Sequence, residues 1–180
     1  EFADARTPIT EFRNGPEPPK VPLTYNPVGS YRRDFTIPAS WEGRETYIYL
    51  GSVKSAFTIW INGQKVGYSE GSKLPSEFNI TPYVNAGKKN TVALEVYRWS
   101  TASYLECQDF WRMSGIERSV EVYSRPTMHI RDFEVVSTLD DTYRHGILKL
   151  WVTLQNRGNT LQNGMTEVTL SDGERQMFTV

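Results

Sequence analysis

The chain has 180 residues, with 20 Lys and Arg against 21 Asp and Glu and a formal net charge of −1 at pH 7. A length of this order allows one large domain or two smaller ones, and near-neutral charge with no block of one sign argues against nucleic acid or an anionic membrane surface as a partner. The single cysteine, Cys107, excludes an internal disulfide and a cysteine-built zinc site, and no apolar run approaches the roughly 18 residues of a membrane-crossing helix.

Taken in chain order, residues 1–27 hold Pro8, Pro16, Pro18, Pro19, Pro22 and Pro27, six of the ten prolines. Proline fixes φ and has no N–H, so this stretch is predicted to be an extended arm. The chain starts Glu-Phe-Ala-Asp, with neither an initiating Met nor an apolar leader. It reads as an excised piece, with the compartment left open between cytoplasm and periplasm.

From Tyr31 onward, short runs of strand formers alternate with turn residues. Residues 31–37, 46–50, 57–61, 64–68, 78–84, 91–99 and 116–123 are predicted strands. Asn62-Gly63 between two such runs predicts a tight hairpin, because both central positions of that turn need positive φ. Gly87-Lys88-Lys89-Asn90 reads as a turn, and Ile116, Val120 and Val122 as inward-facing. No window sustains a helical period. Many short strands at regular spacing predict an all-β fold, a jelly-roll sandwich over 28–125. Arg125-Pro126 reads as a joint. Beyond it, 130–139, 147–155, 166–170 and 176–180 are further strands, with turns at Asp140-Asp141, Asn156–Gly158 and Asp172-Gly173. Four strands in 126–180 match half of an immunoglobulin-like sandwich, which needs about a hundred residues. The expectation is a truncated second domain with apolar strands left uncovered.

The stretch 98–115 does not fit the pattern. Trp99, Tyr104, Phe110 and Trp111 stand among Glu106, Gln108, Asp109 and Arg112. Flat apolar rings beside hydrogen-bonding groups suit a ligand with an apolar face and many hydroxyls, such as a sugar. The competing account is a structured loop whose aromatics pack the end of a sandwich and whose Asp109 pairs with Arg112. His129 and His145 lie outside this stretch without metal-type spacing and read as ordinary strand or turn residues.

The runs Gly51-Ser52-Val53-Lys54-Ser55-Ala56-Phe57, Trp60-Ile61-Asn62-Gly63 and Val66-Gly67-Tyr68 resemble the sugar-binding jelly roll of glycoside hydrolase family 2, a part shared with β-glucuronidases and β-mannosidases. Two further pieces more closely resemble the bacterial lactose-hydrolysing β-galactosidases. They are Leu74-Pro75-Ser76-Glu77-Phe78, and the loop with Arg98-Trp99-Ser100, Ser103-Tyr104-Leu105-Glu106 and Gln108-Asp109-Phe110-Trp111-Arg112-Met113-Ser114-Gly115-Ile116. The likeness is dense over 26–126, where Asn26-Pro27, Gly29 and Tyr31 fit the start of the jelly roll. It is looser through Asp132-Phe133 into a domain that is immunoglobulin-like in that family. The fold this implies is a galactose-binding-like jelly roll followed by a truncated immunoglobulin-like sandwich.

The resemblance also implies roles. Asp109 takes the position that binds galactose hydroxyls and helps hold a sodium ion, tasks a carboxylate suits as a hard oxygen donor set. Lys54 stands where the galactosidases carry a sugar-contacting Asn. An ammonium donates to a hydroxyl but cannot accept, so that contact is altered. Cys107 replaces an acidic residue. Retaining hydrolysis needs two carboxyl groups about 5–5.5 Å apart; in the family both are glutamates on a barrel beyond this stretch. No catalytic residue is therefore expected here. Sodium and magnesium belong to the parent enzyme, with neither held by this piece alone. The implied partners are a β-galactoside, the barrel-bearing remainder of the parent chain and further copies in a homo-oligomer. The alternatives are a free-standing carbohydrate-binding module or a piece of another family 2 glycosidase.

Overall fold

The computed structural model describes residues 18–21, 26–106 and 113–180. Most of the arm expected over 1–27, and residues 107–112 of the aromatic stretch, lie outside the described residues. Among the described residues the chain is all β, with short 3-10 turns and no α-helix. It divides into two compact units, Glu1–Pro126 and Thr127–Val180.

The first unit contains β1 (Val28–Thr36), β2 (Glu45–Leu50), β3 (Val53–Lys54), β4 (Ala56–Ile61), β5 (Gln64–Glu70), β6 (Ser76–Asn79), β7 (Lys89–Tyr97), β8 (Gly115–Ile116) and β9 (Val120–Arg125). They form a four-stranded sheet in the order β1-β7-β4-β5, a three-stranded sheet β6-β2-β9 and the short pair β3-β8, all antiparallel. Alternation sets the core. Val92, Leu94 and Val96 of β7 and Phe57, Ile59 and Ile61 of β4 face Ile48 and Leu50 of β2, with Ile80 and Val53 closing the cluster. Phe57 meets Phe78 edge to face at 6.0 Å, the geometry that opposed ring quadrupoles favour. β1, at the sheet edge, carries Arg32, Arg33 and Asp34, charges that discourage a further strand from adding there.

The predicted hairpin is present. Asn62 and Gly63 have φ of 50° and 81°, and β4 and β5 flank them. Two expectations need revision. The strand expected over 78–84 stops at Asn79 and gives way to a 3-10 turn, Thr81–Tyr83, because Pro82 cannot donate to a ladder. The strand expected over 116–123 is two strands with different partners. Around the corner, Glu117 N–H donates to Ser52 O at 3.0 Å and Gly51 N–H to Ser119 O at 2.9 Å, moving the chain from β3 to β2. Val120 shares a face with Leu50 and Val122 by register, yet it stays 40% exposed at the end of an edge strand.

The second unit contains β10 (Met128–Leu139) paired with β11 (Gly146–Asn156), and β12 (Thr169–Asp172) paired with β13 (Arg175–Thr179). Asp140 closes the β10–β11 loop. Its carboxylate accepts from the backbone N–H of Arg144 at 2.9 Å and from the Thr142 hydroxyl at 2.8 Å.

Candidate functional site

The aromatic stretch starts where β7 ends, and its first residues are fastened to the chain preceding β1. Arg98 N–H donates to Pro27 O at 2.9 Å. The Asn26 side-chain amide donates to Trp99 O at 3.0 Å and accepts from Trp99 N–H at 2.9 Å. One side chain thus supplies both halves of a backbone-like pair, which is why asparagine serves here. The Trp99 ring is 5% exposed beneath the Arg98 guanidinium, 4.7 Å from its centroid. For Trp99 the packing account holds. Phe110 and Trp111 lie outside the described residues.

A 3-10 turn follows over Thr101–Tyr104. Ser103 Oγ accepts from Ser100 N–H at 3.0 Å, and Ser103 N–H donates to Ser100 O at 3.0 Å. Tyr104 reaches back to donate to Lys20 O at 2.5 Å.

The end of β5 and the corner after it hold this turn from the side. Glu70 accepts from the hydroxyls of Tyr68 and Thr101, the latter at 2.7 Å, and from Ala102 N–H. Two residues on, Ser72 donates its N–H to one oxygen of Glu106 at 2.8 Å and its hydroxyl to the other at 2.5 Å. The Ser72 carbonyl is met by the Ser52 hydroxyl, which also lies 3.2 Å from Glu117; Glu117 in turn pairs with Lys73. Partial burial pushes the Glu70 carboxyl up, but the Tyr68, Thr101 and Ala102 donors outweigh it and leave it below the usual carboxylate value. Burial and the adjacent carboxylate raise the Tyr68 phenol well above its ordinary range.

The stretch returns to the sandwich through β8. Lys54 pairs with Gly115 and Val53 with Ile116. Gly115 has φ of +113°, and a Cβ there would sit 2.8 Å from the Tyr31 hydroxyl. The positive φ there favours glycine. A groove of about 170 Å³ lies alongside, lined by Pro27, Gly29, Tyr31, Arg98, Ser114 and Gly115 among others.

Of the two site residues expected from sequence, Lys54 is 4% exposed on β3, beside the returning end of the stretch. Asp109 lies outside the described residues. Glu106, grouped by sequence with open hydrogen-bond acceptors, has both oxygens engaged by Ser72. Glu70 and Ser72 were not singled out from sequence. The turn-like Ser69-Glu70-Gly71-Ser72 was the available signal, and it says nothing about a partner some thirty residues on. Among the described residues, no three His, Cys, Asp or Glu side chains gather as a metal site.

Residues 6–126 match the profile of the glycosyl hydrolases family 2, sugar binding domain. A β-galactosidase of Priestia megaterium is 51% identical over 161 residues, 89% of this chain and 16% of that protein. One from Yersinia pestis bv. Antiqua is 48% identical over 134 residues, 74% of this chain and 13% of that protein. In fold, the apo β-glucuronidase of Ruminococcus gnavus superposes with a TM-score of 0.67 at 20% identity, covering 87% of this chain and 28% of that one. The chain thus spans about a sixth or less of the curated relatives it matches.

Proposed function

The chain belongs to the glycosyl hydrolases of family 2 through their sugar binding domain, and from that premise we propose that it is the non-catalytic N-terminal part of a β-galactosidase. In this reading the longer enzyme hydrolyses terminal β-D-galactosides such as lactose with retention, and the stretch after β7 forms one wall of its active site. The observation that carries it is the sequence likeness to the Priestia megaterium β-galactosidase, which runs through most of this chain and a small part of that protein.

Asp109 is the residue proposed to meet the sugar. Its carboxylate accepts galactose hydroxyls and offers one hard oxygen ligand to sodium. Bound sodium would supply a fixed positive charge beside the sugar; its remaining ligands, and the magnesium site, are assigned to the rest of the longer protein. Lys54, beside the returning end of the stretch, is proposed to donate to a sugar hydroxyl. The barrel, with both catalytic glutamates, and further copies of the enzyme are the proposed partners. Retaining chemistry needs a carboxyl pair flanking one bond, and the engagement of Glu70 and Glu106 with loop donors supports placing that pair elsewhere.

Two measurements test this. Purified 1–180 should not turn over an aryl β-galactoside, and turnover free of contaminating enzyme would overturn the assignment. In the longer enzyme, Asp109→Ala should weaken galactoside binding and blunt the response to sodium. Wild-type kinetics and sodium dependence in that variant would remove Asp109 from the site. Titrating galactose into 1–180 separates this reading from a free-standing carbohydrate-binding module, which alone predicts saturable binding.

A further inference from the structure

Two Asn-Gly pairs lie among the described residues, and the fold treats them differently. In this dipeptide a backbone nitrogen readily attacks the side chain before it, because glycine has no Cβ to obstruct the approach to the asparagine Cγ. The attack needs the side chain to swing back over its own peptide bond and the backbone to follow. Asn62-Gly63, in the β4–β5 hairpin, is denied both movements. The Asn62 amide donates to Tyr83 O and to Asn90 Oδ1, each at 2.8 Å, and accepts from Thr91 N–H at 2.9 Å. Its backbone N–H donates to Thr91 O at 2.8 Å, and the turn holds φ at 50° and 81° for the pair. The side chain cannot turn onto the Gly63 nitrogen without giving up those bonds to other parts of the chain.

Asn163-Gly164 sits between β11 and β12, where residues 161–168 form neither strand nor helix, and both of its residues are exposed. The connection is pinned ahead of the pair by the Asn156 side chain, which donates to Thr160 O at 2.9 Å, and after it by Val168 N–H, which donates to Val180 O at 2.9 Å. We propose that Asn163-Gly164 is a site of spontaneous covalent modification, at which the folded chain passes to aspartyl and isoaspartyl forms. The Gly164 nitrogen gives its proton to water and bonds to Asn163 Cγ. The Cγ–Nδ2 bond then breaks with release of ammonia, which closes a cyclic imide. Water adds to one of the two imide carbonyls, and that C–N bond opens. Opening at Cγ yields aspartate; opening at the main-chain carbonyl of Asn163 yields isoaspartate, with the backbone lengthened by a methylene. No electrons change hands, and water is the co-reactant. Either product brings a new carboxylate to an exposed connection. It arises beside the start of β10, since a Cβ on Gly164 would stand 3.1 Å from Met128 Cε.

The test incubates purified 1–180 in mildly alkaline buffer for days and follows both pairs by peptide mapping, with fragmentation in the mass spectrometer to locate each change. The peptide with Asn163 should gain about 1 Da and split into aspartyl and isoaspartyl forms, about tenfold or more faster than the peptide with Asn62 changes. In guanidinium chloride, where no hydrogen bond holds either side chain, the two rates should converge. Gly164→Ala, which obstructs ring closure, should slow the conversion, and Asn163→Gln should remove the early mass gain at this position. Equal rates for the two pairs in the folded chain would overturn the proposal. So would an Asn163 that keeps its amide while the denatured chain converts. A folded-state difference that persists undiminished in denaturant would also overturn it, because neighbouring residues rather than the fold would then set the rates. Conversion of Gly164→Ala as fast as wild type would show that the Gly164 nitrogen is not the attacking group, with the same consequence.

Discussion

The two units are built from the same alternating strands and end in opposite states. In Glu1–Pro126, the inward residues of β4 and β7 find a facing sheet, and Phe57, Ile59, Ile61, Leu94 and Val96 are at most 5% exposed. In Thr127–Val180 no residue is buried. Yet the second unit's strands alternate as well. Residues opposite one another in an antiparallel pair share a face, so the β10–β11 register puts Ile130 with Leu154, Phe133 with Val152, Val135 with Leu150 and Leu139 beside Leu148 on one side. The other side receives Asp132 with Thr153, Glu134 with Trp151 and Val136 with Lys149. β12 and β13 repeat this, with Leu170 opposite Phe178 and a Val168–Val180 backbone pair on one face and Thr169 with Thr179 on the other. Binary pattern decides which face is apolar. It does not decide whether that face is covered.

The largest consequence is in mutational cost. Ile59→Ala should destabilise the first unit by about 2–5 kcal/mol, the range for opening a cavity in a packed core. Leu148→Ala, at a side chain 39% exposed, should cost under about 1 kcal/mol. Chemical denaturation of the two variants reads this, and equal costs would break the contrast.

A polar pair gives the same contrast at smaller scale. Asn90 is buried, and its side chain makes four hydrogen bonds, donating to Asn85 O and Lys88 O and accepting from Asn85 N–H and the Asn62 amide. Asn156 makes two in an exposed loop, to Thr160 O and from Gly158 N–H. Asn90→Ala should cost about 1–3 kcal/mol, because buried partners lose their mates, and Asn156→Ala well under that, because water replaces them. The uncovered apolar face should also bind an environment-sensitive dye such as ANS. Phe133→Ser with Leu154→Ser should remove most of that fluorescence without shifting the first unit's unfolding midpoint, and unchanged dye binding would mean that the dye sits elsewhere.

Most of the fold was legible because its signals are local. Alternation located β4, β7, β10 and β11, and Asn62-Gly63 located the hairpin. What was not legible depends on distance. Nothing near Ile116 announces that it pairs with Val53 while Val120 pairs with Leu50; that switch is made by the Gly51-Ser52 corner some seventy residues earlier. In the candidate site, composition marked the stretch, but a carboxylate reads the same whether it faces solvent or a serine. Glu106 therefore looked like an open acceptor until its partner was known.

The smallest expected effect is on pH response, and here the two units share a device. Glu70 on the first and Asp140 on the second both close a loop by accepting from hydroxyl and backbone N–H groups, and both lie below their ordinary values of 4.5 and 3.8. For Asp140 the Thr142 hydroxyl is the main cause; for Glu70 the Tyr68 and Thr101 hydroxyls prevail over burial. A carboxyl depressed in the folded state contributes stability above its unfolded value and loses it as pH falls through the folded one. As pH falls below the ordinary carboxylate range, the Thr101–Ala102 contact of Glu70 and the loop contacts of Asp140 should therefore each loosen. The amide resonances of Ala102 and Arg144 should report the two titrations separately. Glu70→Gln should flatten the Ala102 titration and leave that of Arg144, and Asp140→Asn the reverse. Should both amides respond to either substitution, the two loops would not be titrating independently, and the local account of each carboxylate would fail.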